Sequence, residues 1–344
     1  MAKAKSTKGQ DAEEALRQYF LSLGFFVMRG VPFSFGGWEV TDIDLLLYIR
    51  KTTITRERIN VDIKRKQTPK AIERIFWTKG LQEVLGFDRC IVATTDNRPA
   101  TREFGALHDV MIMDGNFLNR LTKHYNHHED KFTEEQLMDE LDCKSIVDTK
   151  LALNSLYRLS KSKLINNFDF NGFNLFHNNV KFAIEEYIAS NQKSLPSLRF
   201  LYASFSFMLL ALDFKSRHLA YLDVNDRKKE IIEGIRFGEA GKQRASEILG
   251  TAVALAEKAT NGSLFAKNIL QQEIDTQLNK YPAEGLAEYF PKSEVMKNLF
   301  NYSIQFYETA FLKDLPLPGQ LKPELKSIIA LSVDHLDFDR KKIL

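Results

Sequence analysis

Two acids and a lysine, Asp44, Asp62 and Lys64, are the residues of this 344-residue chain whose types and spacing best suit a reaction. They lie in the stretch EVTDIDLLLYIRKTTITRERINVDIKRK, from Glu39 to Lys66. Asp44 heads the apolar run Leu45, Leu46, Leu47, Tyr48, Ile49, which has the composition of a strand covered on both faces. Farther on the residues alternate, with Ile59, Val61 and Ile63 facing one way and Asn60, Asp62 and Lys64 the other, because side chains in a strand change face at every residue. The polar segment Lys51 to Glu57 between the two runs predicts a β-hairpin that brings Asp44 near Asp62. Two carboxylates on a rigid hairpin suit Mg²⁺, which takes one or two such ligands and keeps water in its remaining positions. An ammonium beside them can orient or help deprotonate an attacking water, or neutralise charge developing on a phosphate. That is the chemistry of metal-assisted phosphodiester hydrolysis. The bland alternative is a solvated hairpin face, and what weighs against it is the apolar run behind Asp44, since a buried acid without a partner is costly.

The elements that must position these residues follow from periodicity. Ala12, Ala15, Leu16, Tyr19, Phe20 and Leu23 repeat at helical spacing from Gln10 and stop at Gly24. Phe25 to Met28 reads as a short strand, and Arg29 to Gly37 as a glycine-rich turn leading into the hairpin. Thr68 and Pro69 mark the start of a helix that runs to Gly86. A strand at Cys90 to Thr94, a helix at Pro99 to Leu107, a strand at Val110 to Met113 and a helix at Phe117 to Tyr125 complete an α/β core with a mixed sheet. Residues 126 to 145 read as a linker containing the capping pair Thr133 and Gln136, and Ser145 with Asp148 as the cap of a helix from Ile146 to Leu159. Beyond it an all-α domain, residues 146 to 344, is expected, including a helix at Ser263 to Lys280.

Composition narrows the partners. Residues 1 to 125 hold 20 Lys+Arg against 15 Asp+Glu, a net of +5, and the remainder holds 28 against 30, a net of −2, so the basic excess accompanies the candidate site, as a polyanionic substrate requires. Two cysteines, Cys90 and Cys143, are too few for a disulfide framework or a zinc site and fit a reducing, cytoplasmic setting. The opening MAKAKSTKGQDAEE has no apolar core and is not a secretory signal. Leu201 to Leu212, interrupted by Ser204 and Ser206 and closed by Asp213, falls short of the roughly 18 apolar residues of a membrane span and predicts a buried helix, so no membrane partner is expected. GEAGK at Gly238 to Lys242 lacks the spacing of a phosphate-binding loop. His124, His127 and His128 sit in a polar stretch without an apolar shell, and the phenylalanines of FDFNGFNLF, Phe168 to Phe176, read as bundle core in preference to a base-stacking surface.

Taken in order, DAEEALRQYFLSLGFFVMRG, TDIDLLL, VDIKRK, CIVATT and VMIMDGNFLNRL resemble the restriction-endonuclease-like PD-(D/E)XK nucleases, nearest to the Mrr-like and archaeal Holliday-junction-resolvase branch. The resemblance covers residues 8 to 125. It implies a restriction-endonuclease-like core, Mg²⁺ with Mn²⁺ able to substitute, DNA in preference to RNA, and a setting in defence against foreign DNA. Residue by residue it implies Asp44 as the first metal-binding acid, Asp62 and Lys64 as the acid and lysine of the (D/E)xK motif, and Glu13 as a helix-one acid supporting the metal; Glu14 and Asp42 are the fallbacks for Glu13 and Asp44. Two departures stand out: the motif acid is Asp where many members have Glu, and residues 75 to 79 hold no glutamine; Lys79 could substitute as a phosphate contact, but a lysine on a solvated helix face is the more frequent explanation. The helical domain is expected to recognise a substrate, dimerise or respond to a regulatory partner. From another class, a catalytically inactive nuclease fold that binds nucleic acid or acts as a scaffold satisfies the same sequence.

Overall fold

A computed structural model describes residues 8–66, 70–124, 129–260 and 281–344 together with Glu273 and Thr276. The proposed helix start at Thr68 and Pro69, His127 and His128, and nearly all of the expected helix at Ser263 to Lys280 lie outside the described residues, as does the side chain of His124. The chain divides into two compact units, residues 1–166 with Phe311–Asp314, and Asn167–Ala310 with Leu315–Leu344.

The first unit is built on a five-stranded mixed sheet in the order β1 (Phe26–Phe35), β2 (Trp38–Arg50), β3 (Arg56–Lys64), β4 (Arg89–Thr94), β5 (Val110–Met113). β1, β2 and β3 are antiparallel neighbours, and β3, β4 and β5 run parallel, joined by α2 (Ala71–Leu85) and α3 (Pro99–Leu107). On one face Ala12, Leu16 and Phe20 of α1 (Lys8–Ser22) and Leu118 of α4 (Gly115–His124) pack against Val27, Leu45, Leu47, Ile59, Val61 and Ile63. On the other, Ile75 of α2 meets Cys90, Val92 and Val110. Both faces are therefore covered, as the unbroken apolar run after Asp44 requires.

β1 departs from expectation, because the stretch read as a turn continues the strand to Phe35. Val31 pairs with Ile43, Pro32 with Asp42 and Phe33 with Thr41, and β1 is an edge strand, where a proline without an N–H is tolerated. The actual turn is Gly36–Gly37, whose φ values of 58° and 86° suit a two-residue hairpin loop. A second departure follows Ser145: its hydroxyl does accept from the Asp148 amide (2.7 Å), but it closes a loop pinned by the Lys144–Ala152 bridge, and the helix starts only at α6 (Leu153–Asn166). The Thr133–Gln136 capping box opens α5 (Glu134–Glu140) as the sequence suggests. α5 and α6 both belong to the first unit, so the division falls at Asn166–Asn167 and not within 126–145. The physical reason is that α6 packs on β1, with the Lys161 ammonium donating to the Arg29 carbonyl (2.8 Å) and to Glu134 (2.5 Å).

The described part of the second unit is helical: α7 (Phe170–Ala189), α8 (Leu195–Leu219), α9 (Val224–Phe237), α10 (Gly241–Thr260), α11 (Glu284–Tyr289), α12 (Ser293–Ala310) and α13 (Pro323–His335). α8 runs 25 residues, longer than its apolar window suggested, and by length and composition alone it is apolar enough to cross a membrane. In the fold 89% of that window is buried among protein, chiefly α7 and α12, where Ser206 and Ser303 exchange hydrogen bonds with each other's carbonyls (2.8 and 2.9 Å) and Phe205 stacks on Phe306. Phe168, Phe170, Phe173 and Phe176 are all buried, which makes them core and unavailable for stacking on bases.

Phe170 closes directly over Gly234 of α9, and a Cβ there would overlap its ring. Gly234→Ala is expected to destabilise the protein by about 1–3 kcal/mol through overpacking. Gly285→Ala on α11 meets nothing within 4 Å. Urea unfolding of the two variants checks this, with a lowered midpoint for the first alone.

Candidate metal and phosphate site

The site is assembled by the hairpin register. Leu45 pairs with Val61, Leu46 with Asn60 and Leu47 with Ile59, and one further step of that register sets Asp44 opposite Asp62. Directly opposed residues share a face, so Asp44, Asp62 and Lys64 lie on the side of the sheet covered by α2, away from α1. Asp44 Oδ2 accepts from the Ile63 amide at 2.6 Å, which ties the acid to the facing strand. Lys64 Nζ stands 3.8 Å from Asp44 Oδ2 and 3.9 Å from Asp62 Oδ1, close enough for attraction and too far for a direct hydrogen bond to either. Gly30 of β1 falls opposite Asp44 in the β1–β2 register, with φ 54° and nothing within 4 Å of where a Cβ would be, so no side chain closes over the acid from that strand.

Burial pushes the Asp44 carboxyl up to about 6 from the ordinary 3.8, against the pull of Lys64 and the Ile63 amide and with the like charges of Asp62 and Glu13 adding to the rise. Among the described residues none donates a hydrogen bond to Asp44 Oδ1. A half-buried carboxylate facing a buried one is a place where a cation gains more than in water.

Arg74 is the site residue that sequence reasoning missed. Its guanidinium forks onto Asp62, Nε to Oδ2 at 2.8 Å and Nη2 to Oδ1. Its Cζ lies 5.7 Å from the ring centre of Trp77, one helical turn on. The only hint in the sequence is that Arg74 stands on the first helix after the motif lysine. Lys79, which could substitute as a phosphate contact, instead donates to Gln82 on its own helix (3.0 Å).

Glu13 is not brought into this set. Arg29 pairs with Leu45 in the sheet and so projects to the α1 face, where its buried guanidinium bonds Glu13 (2.8 Å), Glu14 (3.0 Å) and Glu135 (2.8 and 3.2 Å). Glu14 also holds Arg17 (3.0 Å) and is fully enclosed, which suits a structural ion cluster. Burial alone would lower the Arg29 pKa, but Glu135 and Glu14 raise it overall, so the guanidinium stays charged. Asp42 is exposed and lies 4.0 Å from Arg158. Among the described residues no group of three or more His, Cys, Asp or Glu is placed to hold a metal ion, which leaves Asp44 and Asp62 as a two-carboxylate donor set. A cavity of about 700 Å³ lies at the opposite end of the hairpin, lined by Lys51, Glu57 and Arg89, and touches neither carboxylate. A smaller one of about 500 Å³ is lined by Gly30, Asp42, Glu135 and Arg158 and likewise touches neither carboxylate.

Two outcomes follow. Because the Asp44 carboxyl titrates higher when folded than when unfolded, the cost of ionising it grows as pH rises from 3.8, is complete above about 6, and vanishes only where the acid is protonated in both states. In EDTA, Asp44→Asn should therefore raise stability at pH 8 by roughly 1–3 kcal/mol and by well under 1 kcal/mol near pH 4; melting curves at the two pH values read this directly, and an equal shift at both would count against the desolvated charge. Arg29→Met strands three carboxylates and should cost about 3–5 kcal/mol in denaturant unfolding, well above the cost of Glu13→Gln.

No family model, no curated protein and no solved structure matches the chain, so its functional reading rests on this geometry and on the resemblance in the ordered motifs.

Proposed function

We propose that this chain is a divalent-metal-dependent endonuclease that hydrolyses phosphodiester bonds, with DNA preferred to RNA, and that its first unit is a restriction-endonuclease-like domain. The observation that carries this is the convergence of Asp44, Asp62 and Lys64 across β2 and β3, with Lys64 Nζ between the two acids at 3.8 and 3.9 Å. The order of helices and strands around the mixed sheet agrees with the resemblance in the motifs, and the net +5 of residues 1 to 125 favours a polyanion.

The donors fit Mg²⁺ or Mn²⁺: two carboxylates on adjacent strands, Asp62 buried and Asp44 half-buried, the latter accepting one hydrogen bond among the described residues and disfavoured as a bare anion. Asp44 and Asp62 would hold the ion. When bound, such an ion lowers the pKa of a coordinated water and neutralises charge on the scissile phosphate. Lys64, tethered on the same strand as Asp62, donates N–H bonds to the attacking water or to a phosphate oxygen. Glu13 acts at a distance, through the like-charge push on Asp44, while its carboxylate is held by Arg29. The helical unit supplies recognition or regulation.

A second reading has an observation of its own. Arg74 neutralises Asp62 with both of its fork atoms, the arrangement expected of a nuclease fold that binds nucleic acid without cutting it. The two are separated by incubating the protein with supercoiled plasmid, single-stranded DNA and RNA in Mg²⁺ and in Mn²⁺. Cleavage that falls about a hundredfold or more in Asp62→Ala and in Lys64→Ala supports the enzyme. Nucleic-acid binding without cleavage in either metal supports the inactive fold.

A further inference from the structure

We propose that Arg74 is a displaceable occupant of the site, a guanidinium that holds Asp62 in the free protein and moves to a phosphate of the nucleic acid when substrate arrives, so that substrate and metal bind cooperatively. The proposal rests on the metal-dependent reading above and adds a residue and an order of events to it.

The geometry supplies each part. Both oxygens of Asp62 accept from Arg74, so a cation arriving at this carboxylate meets a positive charge that already neutralises it. Lys64, at 3.9 Å, does not stand in for the fork. A phosphodiester offers a guanidinium the same pair of oxygens in the same plane as a carboxylate, which makes it a direct competitor for Arg74. The Arg74 side chain is 25% exposed, so a phosphate can reach it while Asp62, at 8%, stays enclosed. Trp77 offers an aromatic face beside the guanidinium that can support it after it leaves the acid. Arg74 also stands on a helix, so moving its side chain leaves the sheet pairing of β2 and β3 intact. Meanwhile Asp44 is fixed by the Ile63 amide and keeps one oxygen without a described donor. Removing Arg74 from Asp62 leaves two facing carboxylates with Lys64 as the cation near them among the described residues, a set that attracts a metal ion. Phosphate on Arg74 and cation on the two acids therefore favour one another, and linkage makes the effect reciprocal.

The experiment is calorimetric titration of the full chain with Mn²⁺, alone and with a phosphorothioate DNA oligonucleotide, subtracting the titration of the oligonucleotide itself. The wild type is compared with Arg74→Ala, Arg74→Lys and Asp44→Ala, each checked for folding by circular dichroism. The wild type should bind Mn²⁺ about tenfold or more tightly when the oligonucleotide is present. Arg74→Ala should bind Mn²⁺ about tenfold more tightly than wild type without the oligonucleotide, gain nothing further from it, and bind the oligonucleotide more weakly in EDTA. Arg74→Lys, which keeps the charge and loses the fork, should fall between and serves if the alanine variant does not fold. Equal Mn²⁺ affinity in wild type and Arg74 variants, abolished by Asp44→Ala, overturns the displaceable arginine and leaves the metal site standing. Absence of Mn²⁺ binding in every protein, with or without the oligonucleotide, overturns both.

Discussion

The pairing of Leu45 with Val61 is the contact on which the candidate site depends. Side chains in a strand alternate with period two, so a slip of one residue between β2 and β3 would send Asp62 and Lys64 to the α1 face and bury them among Leu16 and Phe20. The register resists such a slip because each strand is apolar on the face it shows α1: Leu45 and Leu47 from β2, Ile59, Val61 and Ile63 from β3. Hydrophobic burial on one face thus enforces polar convergence on the other. Asp44 belongs to the buried strand and carries the electrostatic consequence, a carboxyl raised to about 6 by the desolvation that its neighbours impose.

The α1 face carries its own charged device. Arg29 is buried with three carboxylates around it, drawn from α1 and from α5, more than a hundred residues away in sequence. A buried guanidinium is costly, and here the cost is offset by the charge-assisted bonds that Nη1 and Nη2 donate to both flanking elements, while Nε is left without a partner among the described residues. The cluster ties α5 to the sheet. It also explains why Glu13, at the expected position of a helix-one acid, and its fallback Glu14 are both held by Arg29 on the α1 face.

At the site the balance is different. Asp62 is satisfied by Arg74, Asp44 only in part, and Lys64 is held near both without bonding either. Such an incompletely satisfied cluster lowers stability relative to an apolar or fully bonded one, and proteins retain such clusters where a ligand completes them. The second unit shows the opposite economy: the most apolar helix, α8, is enclosed, and the polar atoms of Ser206 and Ser303 find each other across the α8–α12 contact.

Local patterns were sufficient for much of this. Period-two alternation in Ile59 to Lys64, the unbroken apolar run after Asp44 and the polar link between them placed both acids on one hairpin, because strand geometry translates residue parity directly into facing. Helical periodicity likewise placed α1, and the apolar composition of Phe168 to Phe176 marked those phenylalanines as core. Where local signals were ambiguous, tertiary pairing decided: Gly30 and Pro32 read as a turn until β2 is alongside to extend β1, and Ser145 caps a loop in place of a helix because Ala152 bridges Lys144. Chain composition showed α8 to be apolar, but only its neighbours determined that protein covers it. The pairings of Arg74 with Asp62, 12 residues apart, and of Arg29 with Glu135, 106 apart, were invisible in the sequence. The sequence determined which residues face which way on each strand; which charges meet was decided only when the helices closed over the sheet, since a salt bridge depends on distance in space and leaves no periodicity along the chain.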